Sequence, residues 1–209
     1  MAKRSYKSPG RAASREETRR RIVAAAETVL AEAGWAGFSL EAVGAAAGVT
    51  RLTVYNHFGA RRSLLEAIFD ANARRAGFER IAEAMGGRDP HAALDAVVAI
   101  FCAFWQSGSA PLRGIAAEAM ADPEFAEALA ARNQRRRQLL GALVARMDLP
   151  PAHRGQLTET LFALTSHGFY AELAALSPPE KTEAVTMLVR AAVAAAGTKK
   201  PGASFETPG

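Results

Sequence analysis

The chain of 209 residues carries 26 Lys+Arg against 21 Asp+Glu, a formal net charge of +5, and its apolar residues are mainly alanine and leucine. This length fits one or two domains with a substantial core, and this composition favours helices. The single cysteine, Cys102, excludes an intrachain disulfide; no unbroken apolar run reaches the roughly eighteen residues of a membrane span, so a cytoplasmic protein with no membrane partner is expected.

Residues 1–13 are polar and basic and contain Pro9 and Gly10, which predicts a disordered arm. Ser14 with Glu17 forms a capping-box pattern and predicts that the first helix starts there. Ile22, Ala25, Ala26, Val29, Leu30 and Ala33 recur at helical spacing as its inner face, and Gly34 stops it. Glu27 interrupts what would otherwise read as the apolar core of a secretion signal. Trp35 and Phe38 in the connector are expected to seal a small core.

The stretch 39–58, SLEAVGAAAGVTRLTVYNHF, predicts two short helices joined by a tight turn. Ser39 is placed to cap a helix over 40–47, Gly48 ends it in the left-handed conformation, and Thr50 caps the next. In that second helix Val54 and Phe58 lie four apart and face inward, leaving Arg51, Leu52, Thr53, Tyr55 and Asn56 outward. A polar helix face displayed beyond a tight turn is the helix-turn-helix arrangement. Residues 1–75 hold 13 Lys+Arg against 7 Asp+Glu, so the basic excess lies where phosphate contact would need it.

GVTRLTVYNHF followed by GARRSLLEAIF resembles the DNA-binding core of the TetR family of bacterial transcriptional regulators, over roughly residues 15–71. The resemblance implies a ligand-responsive regulator that binds double-stranded DNA as a homodimer. It implies phosphate contacts from the Tyr55 hydroxyl, from His57 and from Arg61 at the start of the following helix. Ser39, Thr50, Arg62 and the basic arm join the expected phosphate contacts, the arm serving either that end or solubility alone. Base edges fall to Arg51, which can pair bidentately with guanine, to Asn56 for adenine, to Thr53, and to Leu52 against a thymine methyl; Leu52 reads equally as packing under its helix.

Further along, Ser63, Leu64, Leu65, Ile68 and Phe69 lie on a long helix that ends by Gly86 and Gly87. Asp89-Pro90 starts a strongly apolar helix to Gln106, and a shorter helix is expected over 112–121. Asp122-Pro123 starts another helix, to about Met147. Its Arg132, Arg135, Arg136 and Arg137 suit either an acidic ligand or a solvated face; Glu124 and Glu127 on the same helix favour the solvated face. An eighth helix from Pro150 and Pro151 carries Leu157, Leu161, Leu164 and Gly168 as one stripe. A ninth, opened by Ser177 with Glu180, is apolar almost all round from Ala184 to Ala196, and such a helix must be covered on every side. A second copy of the chain is the natural cover, through Leu157, Leu161, Leu164, Gly168, Val185, Leu188, Val189 and Ala192, which is also where the family dimerises.

The expected architecture is all-α with about nine helices: an arm over 1–13, a DNA-binding domain over 14–75, a ligand-binding and dimerisation domain over 76–197 and a disordered tail over 198–209. Phe101, Phe104, Trp105, Met120, Phe125, Phe162, Ser166, Phe169 and Tyr170 permit an apolar pocket with a few polar anchors, suited to a small apolar or aromatic effector. The preferred function is a repressor released from a palindromic operator; an activator or DNA-organising protein of the same fold is the alternative, and a helical-bundle enzyme or carrier a remote one. The four histidines include no metal-binding pair at helical spacing and there is no phosphate loop, so no enzyme activity, metal or cofactor is expected.

Overall fold

The computed structural model describes residues 9–107 and 119–198, and all regular structure among them is helical. The chain divides into two compact units, residues 1–75 with 107–126, and residues 76–106 with 127–209.

In the first unit α1 (Pro9–Gly37), α2 (Leu40–Ala46), α3 (Arg51–Phe58) and α4 (Arg61–Ala76) follow in order. The first helix starts at Pro9, five residues ahead of the expected cap at Ser14. Proline is well tolerated in a first turn, where its missing N–H costs nothing. Ser14 therefore lies inside the helix, its carbonyl accepting from the Thr18 hydroxyl at 2.9 Å, and Glu17 pairs with Arg20 at 2.6 Å instead of closing a capping box. Residues 9–13, read as part of a disordered arm, are helical; residues 1–8 of that arm lie outside the described residues. The helical path breaks at Gly34, with φ 63° and ψ −167°. Ile22, Ala26 and Leu30 of α1, Val43 of α2, Val54 and Phe58 of α3, and Leu64, Leu65 and Ile68 of α4 fill the core. Phe69 adds a stacked contact with Phe125, ring centres 6.3 Å apart.

The second unit contains α5 (Arg80–Gly86) and most of α6 (Pro90–Ser107) and α7 (Pro123–Ala145), with α8 (Pro151–Leu164), α9 (His167–Glu172) and α10 (Pro178–Thr198). Its core joins Leu94, Val97, Val98, Phe101 and Cys102 of α6 with Leu140, Leu143 and Val144 of α7, Leu157 and Leu161 of α8, and Val185, Val189 and Val193 of α10. Two expected helices are divided. The long helix after residue 61 stops before Gly77, and α5 is separate from it. The helix from Pro151 stops at Thr165, whose hydroxyl turns back onto the Leu161 carbonyl at 2.7 Å, and Ser166 then caps α9 by accepting from the Phe169 N–H at 3.1 Å. Gly168 thus lies on a different helix from Leu157, Leu161 and Leu164. The helix expected over 112–121 falls mostly outside the described residues.

Candidate DNA interface

The turn between α2 and α3 is built from its caps. The Ser39 hydroxyl accepts from the Ala42 N–H at 3.1 Å, and the Thr50 hydroxyl accepts from the Thr53 N–H at 3.1 Å, so each short helix has one orphan donor of its first turn satisfied. Gly48 takes φ 65°, as the sequence predicts. A second glycine of this turn region sits where α2 comes close to the start of α3. A Cβ on the buried Gly44 would lie 3.0 Å from the Val49 carbonyl oxygen and 3.3 Å from the Arg51 backbone nitrogen, so a side chain here would press on the backbone at the start of α3. A glycine in an alanine-rich helix carries no turn signal, so nothing in the sequence marks it.

Val54 and Phe58 are buried, at 0% and 7% exposure, which fixes the rotation of α3. The opposite face stands clear: Leu52 is 65% and Tyr55 55% exposed, with Arg51 and Asn56 also exposed. Leu52 therefore does not pack under its own helix. Arg51 is already engaged, its Nε 2.6 Å from Oε1 of Glu41 on α2. Thr53 is half-buried, and its hydroxyl shares a 2.9 Å hydrogen bond with that of Thr50.

At the far end of α3, Arg19 of α1 donates to the His57 carbonyl at 3.2 Å and lies 4.4 Å from the centre of the Phe58 ring. A cation at a helix C-terminus satisfies an orphan carbonyl and complements the helix dipole. Arg19 was not anticipated either; its distance in sequence from residue 57 leaves no local pattern to read. His57 is half-buried, and burial, followed by the charges of Arg15 and Arg19, holds its imidazole below the ordinary value of 6.5. It is therefore neutral near pH 7 and offers a hydrogen bond, not a charge. Arg61 is half-buried, its guanidinium 5.7 Å from the Trp35 ring centre and 5.2 Å from that of Phe38, and burial lowers its pKa while Asp122 opposes the shift. Arg62 pairs with Glu124 and lies 4.0 Å from Glu66.

The residues expected to line an effector pocket fall into two groups. Met120, 89% exposed, and Phe125, fully buried against Phe69, belong to the first unit. Phe101, Phe104, Trp105, Phe162, Ser166, Phe169 and Tyr170 belong to the second. The expected dimer residues also divide. Leu157, Leu161, Val185 and Val189 are taken up by the unit's own core, whereas Leu164, Leu188 and Ala192 are half-buried and Gly168 is exposed. The arginine run read as a solvated face is mixed: Arg135 is exposed, Arg137 grips Glu159 through two contacts of 2.8 and 3.1 Å, and Arg136 is 91% buried. Cys102 is a core thiol whose pKa burial pushes up to about 11, far from a nucleophilic thiolate. Among the described residues no group of three His, Cys, Asp or Glu side chains is placed to hold a metal, and no helix is long and apolar enough to cross a membrane.

Short capped helices joined by a tight turn, the second burying one face and displaying the other, form the helix-turn-helix arrangement that DNA-binding proteins use. The model of the bacterial regulatory proteins, tetR family, matches residues 22–68, the stretch that holds α2, α3 and the start of α4. The fold extends the likeness beyond that domain. A TetR transcription regulator from Haloarcula marismortui superposes with a TM-score of 0.70 at 17% identity, over 87% of this chain and 98% of that one. NalD of Pseudomonas aeruginosa, the secondary repressor of a multidrug efflux pump, gives 0.64 at 25% identity, over 85% and 97%. The TetR-like regulator LfrR of Mycobacterium smegmatis, solved with proflavine, gives 0.55 at 26% identity, over 86% and 97%. No curated protein matches the chain by sequence.

Proposed function

We propose that the protein is a homodimeric transcriptional repressor that binds a palindromic operator through α3 and is released when a small apolar or aromatic molecule occupies its second unit. The observation that carries this reading is the outward face of α3, where an arginine, an asparagine, a tyrosine and an exposed leucine surround a helix whose other face is locked into the core. Arg51 and Asn56 recognise base edges, Leu52 meets a thymine methyl, and Tyr55, Thr50 and the N-terminus of α3 engage phosphates. The reading assigns the protein no catalysis and no cofactor.

Dimerisation is supported by α10, which turns Val185, Val189 and Val193 inward while Met187, 61% exposed, Ala191, Ala194 and Ala195 remain uncovered. A two-fold pair of heads reads half-sites about one helical turn, roughly 34 Å, or a multiple apart. Release needs a ligand that prefers the DNA-incompetent state, by about 5.5 kcal/mol to turn 99:1 occupancy into 1:99. The repressor function of NalD and the proflavine held by LfrR favour this mode over activation. The test is a labelled operator–protein complex titrated with small aromatic and aliphatic compounds and followed by anisotropy. Release at saturable concentrations supports the reading, and a complex indifferent to all of them while still dimeric in sedimentation refutes the ligand step.

A further inference from the structure

The Arg136 side chain is 91% buried in the second unit, yet among the described residues no carboxylate pairs with it. Its guanidinium lies 4.1 Å from the centre of the Phe162 ring, 5.7 Å from that of Trp105 and 5.9 Å from that of Phe101. Nη1 donates to the Thr165 carbonyl, an acceptor freed by the break between α8 and α9 and already served by the Trp105 Nε1–H at 2.9 Å. Nε is buried and donates to nothing. Burial, followed by the charge of Arg137, pulls the Arg136 pKa down to about 10, still high enough to keep the group charged at neutral pH. Arg137 lies over the same Phe162 ring at 4.0 Å, so one aromatic faces two guanidinium groups, and Glu159 neutralises only Arg137.

A buried charge without a counter-ion is costly, and an apolar residue of similar volume generally serves stability as well or better. We infer that Arg136 is the anion-recognising group of an effector site in the second unit, taking the carboxylate of a ligand whose body is aromatic or aliphatic. The edge of Arg136 formed by Nε and Nη2 is the one through which Arg137 holds both oxygens of Glu159, and it suits a second carboxylate in the same two-pronged way. Trp105 and Phe162, both over the guanidinium, and His167, whose ring centre lies 5.7 Å from that of Trp105, are half-buried. The inference rests on the effector reading above but narrows its chemistry from any apolar molecule to an organic acid.

The experiment is calorimetric titration of the full-length protein with benzoate, 4-phenylbutyrate and octanoate, each beside its primary amide. The acids should bind about tenfold or more tightly than the amides, as expected where a charge-assisted pair is lost. R136M should abolish that difference and, without ligand, melt no lower than the parent. Acids and amides binding alike, binding of neither, or a preference surviving in R136M would overturn the inference, as would a clear loss of thermal stability in a folded R136M. Should R136M not fold, R136K decides: affinity for the acids must fall while affinity for the amides stays. Acids that bind but leave the operator complex intact would refute the effector reading and keep the site. Neutral compounds that release DNA in both parent and R136M, with no preference for acids, would do the reverse.

Discussion

Nε of Arg51 lies 2.6 Å from Oε1 of Glu41, so the side chain best suited to read guanine is held by a carboxylate of the preceding helix. The pair is exposed, and such pairs contribute little to stability. Under the proposed function its consequence lies in binding, because Glu41 would compete with guanine for the guanidinium and would bring negative charge to the surface proposed to meet phosphate. Glu41→Gln should raise affinity about two- to five-fold on specific and unrelated duplexes alike, with unchanged melting temperature. Anisotropy titration on both duplexes measures this, and weaker binding by Glu41→Gln would show that the carboxylate instead orients Arg51 for recognition.

A second prediction concerns Gly44. Glycine to alanine inside a helix ordinarily stabilises by about 0.5–1 kcal/mol. Here the new Cβ meets the backbone of residues 49–51 at 3.0–3.3 Å, and a backbone held by two caps cannot step aside as a side chain tip would. Gly44→Ala should therefore destabilise the first unit by about 1–3 kcal/mol, the usual cost of overpacking. Urea denaturation provides the measurement; a variant as stable as the parent would mean that the turn yields.

That contrast marks how far the sequence could be read. The turn, the caps Ser39 and Thr50 and the inward pair Val54 and Phe58 follow from local pattern, because their partners lie within four residues. Gly44, Arg19 and Glu41 act across elements, and the sequence carries no signal for such pairings. Arg136 shows the same limit in the second unit: four arginines on one helix read as a solvated face, and only packing against Phe101, Trp105 and Phe162 shows that one points inward. Ser14 and Glu17 match a capping box in letters, yet Pro9 begins α1 five residues earlier. The break at Thr165 leaves no mark in the sequence, because Leu157, Leu161, Leu164 and Gly168 keep helical spacing across it.

Arg19 should matter to DNA binding without touching DNA. Arg19→Met keeps much of the packing against Phe58 but removes the donor to the His57 carbonyl at the end of α3. Loss of a single charge-assisted bond at a partly buried helix end costs about 1–2 kcal/mol, and α3 should fray first. Hydrogen exchange of the amides of residues 56–58 should quicken while those of residues 64–68 stay protected. Equal acceleration in both segments would assign Arg19 to global stability alone.

Acid should weaken the fold in a defined window. His57 and His167 are both held below the ordinary imidazole value of 6.5, chiefly by burial. The unfolded chain therefore takes up protons first as pH falls, and stability is complete above about 6.5 and declines below it until the folded groups also protonate. Urea midpoints at about pH 7.5 and pH 5.5 should differ in that sense, and His57→Gln with His167→Gln should flatten the dependence. A midpoint that rises on acidification would contradict both shifts.

The most direct test is a selection of bound duplexes from a random library, run in parallel with the parent protein and with Arg51→Ala. The account predicts a palindromic winner for the parent, and for the variant a loss of preference at one symmetric base pair, worth about 1–3 kcal/mol. A folded dimer that enriches no sequence, or an Arg51→Ala variant that selects the same site with the same stringency, would contradict the assignment of α3 as the reading element.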